Sequence, residues 1–479
     1  MSGVRKVLAI DLGASSGRAI LASYDGAAGT LSTEEVHRFE NVPVEKDGTL
    51  RWDIDALTAN IREGAAKAGA FESVSVDTWG VDFALSDAEG RLIEAPVHYR
   101  DRRTEGVAAQ VIEKIGAETL YRRTGNQFLD LNTLFQLVAL KRDAPEVYEK
   151  TATILFMPDY FNYTLGGRPV SELTISSTSQ ALNPLTRRWD TETLSALGLD
   201  VRKFAPLVPS GTVIGERNGV RVVAAAGHDT QCAVAAIPTD RTDVAFLSCG
   251  TWSVLGTELD EPVLTRESLD ASLSNEIGAN GKINYLQNII GLWLIQESRR
   301  EWRRRGTNYT YGELEKLAGE AAPLRSFIDP DAPAFNAPGD MPERIRAYCR
   351  TTGQPVPETA GEITRCIYES LALRYRLGLE RMSAVTGKTF AALHLIGGGA
   401  QSATLCRFTA DCCELPVVAG PVEATALGNI VIQLTALGAV PNLNAGRALI
   451  GKAEKIVRYE GRPSEDWRDA YRKFKRSLK

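Results

Sequence analysis

An acid placed directly after a histidine, where a buried strand gives way to a helix, is suited to taking a proton from an alcohol. The stretch Gly227-His228-Asp229-Thr230, after the apolar run Val220 to Ala226, has that form, with Asp229 as the potential base. The competing reading of Asp229 is a plain helix N-cap after a strand. A second kind of chemistry is suggested nearer the start. Val7 to Leu12 is an apolar strand, Gly13-Ala14-Ser15-Ser16-Gly17 a turn of small residues, and Arg18 to Leu21 a second strand. Gly13 and Gly17 permit tight backbone geometry, Ser15, Ser16 and main-chain N–H groups can donate to phosphate oxygens, and Arg18 adds positive charge. Asp11 would repel phosphate but can hold a water of Mg²⁺, an ion that keeps several waters and needs few carboxylates. The turn recurs in the second half as Val244 to Ser248, Cys249-Gly250-Thr251-Trp252-Ser253 and Val254 to Thr257. Either turn alone is an ordinary Gly/Ser hairpin; two of them beside one base point to phosphoryl transfer.

These groups need elements to hold them, and the elements also come in pairs. Val222 to Ala226, its loop and the helical run Gln231 to Ile237 resemble Leu393 to Ile396, Gly397-Gly398-Gly399 and Ser402 to Cys413. Two halves of this kind are expected to face one another across a ligand cleft. A Rossmann fold is disfavoured, because no helix follows the glycines of the first turn. The loop Thr78-Trp79-Gly80-Val81-Asp82-Phe83 offers a ring for carbon faces and a carboxylate for hydroxyls, or else a packed Trp on a glycine turn. Asn288, Trp293 and Gln296 fall on an amphipathic run, Asn288 to Arg300, read as helical. Thr359 and Glu362 form a capping box for a long scaffold helix, and the basic end, Arg468 to Lys479, reads as a solvated helix.

The 479 residues exceed a single core, with 44% hydrophobic and 24% charged residues, so two domains are expected. A net charge of −5 gives no general attraction to nucleic acid or anionic membrane, and no long apolar segment is present. A cytoplasmic protein without nucleic-acid or membrane partners is expected, its oligomeric state open. Seven cysteines without Cys-x-x-Cys pairs read as free thiols, with Cys349 and Cys366 an alternative disulfide pair. His37, His98 and His394 read as structural.

Taken together, Asp11 to Arg18, Asp77 to Phe83, Met157-Pro158-Asp159-Tyr160-Phe161, His228-Asp229-Thr230, Ser248 to Ser253, Asn288 to Trp293, Gly397-Gly398-Gly399 and Ala419 to Ala424 resemble the FGGY carbohydrate kinases. The resemblance runs from about Val7 to about Leu434, and the Trp79 loop and His228 segment narrow it to ketose kinases that act on L-rhamnulose. It implies an α/β fold of two ribonuclease-H-like domains of the actin, hexokinase and Hsp70 ATPase superfamily facing a central cleft. Residues 1–240 would carry the sugar site, phosphate loop and base, and residues 241–479 the nucleotide site. The implied reaction moves the ATP γ-phosphoryl group, with Mg²⁺ near Asp11, to the 1-hydroxyl of L-rhamnulose. Ala14, Ser15, Ser16, Gly17, Arg18, Thr251, Gln296 and Gly398 would contact ATP; Gly80, His228, Asp229, Thr230 and Asn288 would contact the ketose. Sister activities on L-fuculose, xylulose or glycerol, or a non-kinase ATPase on the same fold, are the alternatives. Thr409 stands where family members can carry a cysteine partner for Cys413, so that disulfide is not expected.

Overall fold

The computed structural model describes residues 3–478. Its first sheet contains β1 (Arg5–Leu12), β2 (Ser16–Asp25), β3 (Thr30–Glu40), β4 (Ser73–Thr78), β5 (Thr212–Arg217) and β6 (Val220–Ala224). Val7 to Ile10 in β1 are all fully buried, the continuous apolar run expected of a strand covered on both faces. β3 is instead largely exposed and charged, as suits the edge it occupies. The order is β5-β6-β4-β1-β2-β3, with β1, β4 and β6 parallel and the hairpins β1-β2, β2-β3 and β5-β6 antiparallel.

The second sheet uses β7 (Val244–Cys249), β8 (Trp252–Leu259), β9 (Ile283–Ile290), β10 (Ala392–Ile396), β11 (Val417–Ala419) and β12 (Val457–Tyr459). Its order through these strands is β9-β8-β7-β10-β11-β12. β7-β8 is antiparallel, β7-β10 and β10-β11 parallel, and β11-β12 antiparallel. Apart from the strand Ser274–Ile277, a seventh strand at the outer edge of the second sheet beside β9, the sheets repeat one another: β3-β2-β1-β4-β6-β5 against β9-β8-β7-β10-β11-β12. The two hairpins expected from sequence therefore occupy equivalent places. The strand-to-helix segments matched in the sequence do not. By position β10 answers to β4, and the equivalent of β6 is β11, so the Gly397 and His228 loops belong to different steps of the repeat.

By contacts the chain forms two units. One comprises the chain up to Asp240, Glu258–Tyr285 and Ala424–Ala453; the other comprises Arg241–Thr257, Leu286–Glu423 and the chain from Glu454. Three helices matter for the site: α1 (Asp229–Ala235), α2 (Trp293–Arg304) and α3 (Ala424–Ala436). α3 packs on α1 in the first unit, so closely that a side chain on Gly428 would strike the Cys232 carbonyl. Small residues of α3, Ala426 and Gly428 among them, permit that approach. The segment Asn288 to Arg300 is not one helix: Asn288 to Ile290 end β9, and α2 begins at Trp293. Gly291 between them lies against Ser253, which leaves no room for a side chain.

All seven cysteines are free, and the Cys349 and Cys366 thiols are hydrogen-bonded neighbours. No described helix is long and apolar enough to cross a membrane.

Candidate active site

In the first unit the three parallel strands end together. Leu12 is paired with Thr78, and the Thr78 amide donates to the Gly227 carbonyl at 2.9 Å, so the loops after β1, β4 and β6 lie side by side. The carboxyl ends of parallel strands are where α/β sheets gather ligands.

Asp11 is the penultimate residue of β1, 4% exposed, and opposes Arg18 in the hairpin. The Arg18 Nε and Nη2 both donate to Asp11 Oδ2, at 2.8 and 2.6 Å. Ala14 is half-buried and Ser15 and Ser16 are exposed on the turn, which is clamped from behind by Asn41: its Nδ2 donates to the Gly13 carbonyl at 2.9 Å and its amide to the Ser15 carbonyl at 3.1 Å. Gly17 is buried against the Phe39 ring, which occupies the place of any side chain there. Packing as much as phosphate approach explains that glycine.

On the other side of β1, Asp11 is in register with Asp77, which is fully buried. Asn429 of α3 donates to Asp77 Oδ2 at 2.6 Å, while Oδ1 has no hydrogen-bond partner. Burial first, then the charge of Asp11, pushes the Asp77 carboxyl well above the ordinary range. The sequence reading saw Asp77 only as part of a strand and motif, since nothing local shows that two strands will bring it level with Asp11.

The Trp79 loop differs from its expected role. Asp82 is fully buried and accepts from Trp52 Nε1 at 2.6 Å, Trp79 Nε1 at 3.0 Å, the Tyr99 amide at 3.1 Å and Gln136 Nε2 at 2.9 Å. Its acceptor capacity is spent on the protein, and the two indoles pack with centroids 3.8 Å apart, tilted by 30°. The packed-Trp alternative is what the fold uses. Gly80 lies beside the His228 loop: a side chain there would meet His228 Nε2 and Thr178 at 3.4 Å. Val81, next to it, has a φ of 67°, a costly left-handed backbone for a β-branched residue, held by Thr178 Oγ1 on its amide and Thr133 Oγ1 on its carbonyl.

His228 occupies the N-cap position of α1 without capping it, and Asp229 begins the first turn. Asp229 is half-buried, its side chain 28% exposed, and Oδ1 accepts from the Thr230 amide and, at 3.3 Å, its hydroxyl. Desolvation raises the carboxyl to about 6, with the His228 charge opposing and the Asp11 charge reinforcing the shift. Glu172 holds this loop from behind. Its Oε2 accepts from the amides of Gly227 at 2.9 Å, Thr174 at 2.8 Å and Ile175 at 3.2 Å, and its Oε1 from Ser210 Oγ at 2.6 Å. Thr174 Oγ1 then receives the His228 amide at 3.3 Å. The hold of Glu172 on the His228 loop was not legible in the sequence, because the partners that make it, Ser210 and Gly227, are remote in the chain.

The second unit gathers its own set. Thr251, on the β7-β8 turn, donates from Oγ1 to Gln296 Oε1 of α2 at 3.2 Å, and its carbonyl accepts from the Gly291 and Trp293 amides at 3.1 and 3.2 Å. Gly397, with a φ of 81°, and Gly399 both press on Cys249 at the end of β7, while nothing lies within 4 Å of a side chain built on Gly398. Asn288 is half-buried on β9. Thr251, Gln296 and the Gly398 loop thus converge on the end of β7, the strand equivalent in the repeat to β1.

Residues 6–246 match the N-terminal domain, and residues 245–437 the C-terminal domain, of the FGGY family of carbohydrate kinases. The chain belongs to that family. A rhamnulokinase from Bacteroides thetaiotaomicron is 42% identical over 98% of this chain and 99% of its own length. One from Enterobacter sp. (strain 638) is 42% identical over 93% and 92%. Among solved structures, a gluconate kinase from Lactobacillus acidophilus has a TM-score of 0.79 at 16% identity, covering 99% of this chain and 97% of that one. A xylulose kinase from Rhodospirillum rubrum scores 0.77 at 18% identity, with 98% of each chain covered. These two establish the FGGY sugar-kinase fold, mixed α/β, for the full length. The repeated sheets described above are its two halves.

Proposed function

We propose that the protein is a rhamnulokinase, transferring the γ-phosphoryl group of ATP to the 1-hydroxyl of L-rhamnulose in L-rhamnose catabolism in the cytoplasm. The observation that carries this reading is Asp229: a half-buried carboxyl raised to about 6, at the carboxyl end of the first sheet, in a chain 42% identical over nearly its full length to a rhamnulokinase. A primary alcohol is a weak nucleophile, and phosphoryl transfer needs in-line positioning, charge neutralisation and a proton acceptor rather than a covalent intermediate. Asp229 takes the proton of the 1-hydroxyl as the P–O bond forms and ADP leaves. Gly80, His228, Thr230 and Asn288 orient the ketose. Ala14 to Arg18, with Thr251, Gln296 and Gly398, receive ATP; residues 1–240 supply the first phosphate loop, the base and the sugar contacts other than Asn288, and residues 241–479 the remaining nucleotide contacts.

Mg²⁺ fits the donor set. Asp11 provides hard oxygen at the phosphate turn, and among the described residues no group of three or more His, Cys, Asp or Glu could hold a metal alone, as suits an ion carried largely by water and substrate phosphates. Bound there it would neutralise charge on the transferring phosphoryl group. Arg18, now on Asp11, is the counterion of this carboxylate before nucleotide arrives.

Mg²⁺-dependent ADP release is to be measured with L-rhamnulose, L-fuculose, D-xylulose and glycerol. A marked preference for L-rhamnulose is expected. Preference for another sugar moves the protein to a sister kinase, and sugar-independent release removes the kinase assignment.

A further inference from the structure

We propose that Glu276 is a positioning residue for sugar recognition: it holds His228 by Nδ1 and so aims Nε2 at the space between Gly80 and Asp229, where a ketose oxygen is bound. This rests on the ketose-kinase reading of the site. Glu276 belongs to the strand Ser274–Ile277, far in sequence from His228, and carries no sequence motif of its own. It is 4% exposed, and its Oε2 lies 3.0 Å from His228 Nδ1. The same oxygen accepts from Gln231 Nε2 at 2.7 Å, and the Gln231 carbonyl oxygen is bonded to the Asn284 amide, which fixes the Gln231 side chain. The strand itself is pinned by the Asn275 amide on the Gly125 carbonyl at 2.8 Å and the Ile277 amide on Ser177 Oγ at 2.9 Å.

A carboxylate only accepts, so the imidazole proton facing Glu276 sits on Nδ1. Nε2 is then defined in direction: it is 3.5 Å from Asp229 Oδ1 and 3.4 Å from the point where a Gly80 side chain would begin. Three carboxylates face the ring, Glu276 from its strand, Asp229 from α1 and Glu172 from behind the loop. They raise the proton affinity of His228 against desolvation, the largest single influence, which opposes them. That shift favours a second proton on Nε2, from which the ring would donate to a sugar oxygen. The same positive charge lowers the Asp229 carboxyl toward its working range.

Glu276→Gln removes the charge and keeps the shape. The expected result is a rise of about tenfold or more in KM for the ketose, the scale typical of losing an orienting partner, with KM for ATP within about twofold. The pH profile separates positioning from mere folding. Imidazolium is present below its pKa, so activity falls as pH rises through it, and Glu276→Gln moves this alkaline limb to lower pH. An unchanged sugar KM with an unmoved alkaline limb overturns the proposal, as does an equal loss for sugar and ATP. Should the variant not fold, nitrogen NMR of the wild-type imidazoles decides, since the chain has 4 histidines and His228→Asn assigns the signal. A protonated Nδ1 on His228 is expected; a bare Nδ1 overturns the proposal. A protonated Nδ1 in a protein that fails to phosphorylate any ketose would defeat the proposed reaction and leave the Glu276–His228 geometry intact.

Discussion

As the proposed base, Asp229 must be ionised before it can accept a proton, and its carboxyl is raised to about 6. In the free enzyme kcat/KM is therefore expected to fall as pH drops through about 6, the acid limb of a profile whose alkaline limb belongs to His228, measured as initial rates at constant ionic strength. A flat profile from pH 5 to pH 8 would remove Asp229 as the titrating base. Asp229→Asn keeps size and the Thr230 contacts but not basicity; turnover is expected to drop by about 10²- to 10⁴-fold with unchanged thermal unfolding. The glycines of the second unit give a paired test. Gly398→Ala meets no protein atom, so its expected effect is weaker ATP binding at unchanged stability, read by nucleotide titration and melting together. Gly399→Ala drives its methyl into Cys249 and is expected to cost about 1–3 kcal/mol of stability instead. At this scale the sequence disclosed the residues that stand at turns and strand ends, Asp11, Gly80, His228 and Asp229. It did not disclose Asp77, Glu172 or Glu276, whose roles come from partners on remote segments.

Elements show why some readings succeeded. The two hairpins were legible because an apolar run, a Gly/Ser turn and a second apolar run form a local pattern that needs no distant partner. The helix from Asn288 failed at Gly291, where polar spacing suggested one face but a close approach to Ser253 forces a break. The Trp79 loop was half legible: ring, glycine and acid were visible, but not that Trp52 and Gln136 would consume the acid. Asp82 is thus a structural hub with a carboxyl raised to about 6, chiefly by burial. Asp82→Ala strands two buried indole N–H groups and a backbone amide, each worth roughly 1–3 kcal/mol when left unpaired. Urea denaturation is expected to show a loss of at least about 2 kcal/mol, allowing for partial relaxation. A change under about 0.5 kcal/mol, the size of an ordinary surface substitution, would contradict the hub.

Across the whole molecule, the chain crosses between its two units five times, so sequence halves and packed units differ. α3 lies within the match to the C-terminal family domain, yet its Gln433 Nε2 donates to the Leu8 carbonyl at 3.0 Å and its Asn429 to Asp77. A fragment ending at Asp240 would expose the Leu8, Ser73 and Asp77 groups that α3 satisfies and would lack Glu276. It is expected to be proteolysed rapidly where the full chain resists; a protease-resistant fragment with native-like near-UV circular dichroism would contradict this. The duplication itself was visible in the sequence through its hairpins, whereas the return of α3 to the first unit was not, because small residues at close-packing positions do not name their partner.

The central claim is that this fold presents Asp229 to the 1-hydroxyl of L-rhamnulose, and phosphorus NMR of the product formed with ATP and Mg²⁺ tests it most directly. A single phosphomonoester coupled to the C1 protons is expected, formed by the wild type and reduced by about 10²-fold or more with Asp229→Asn. A phosphate on another carbon, or equal product from the variant, would contradict it.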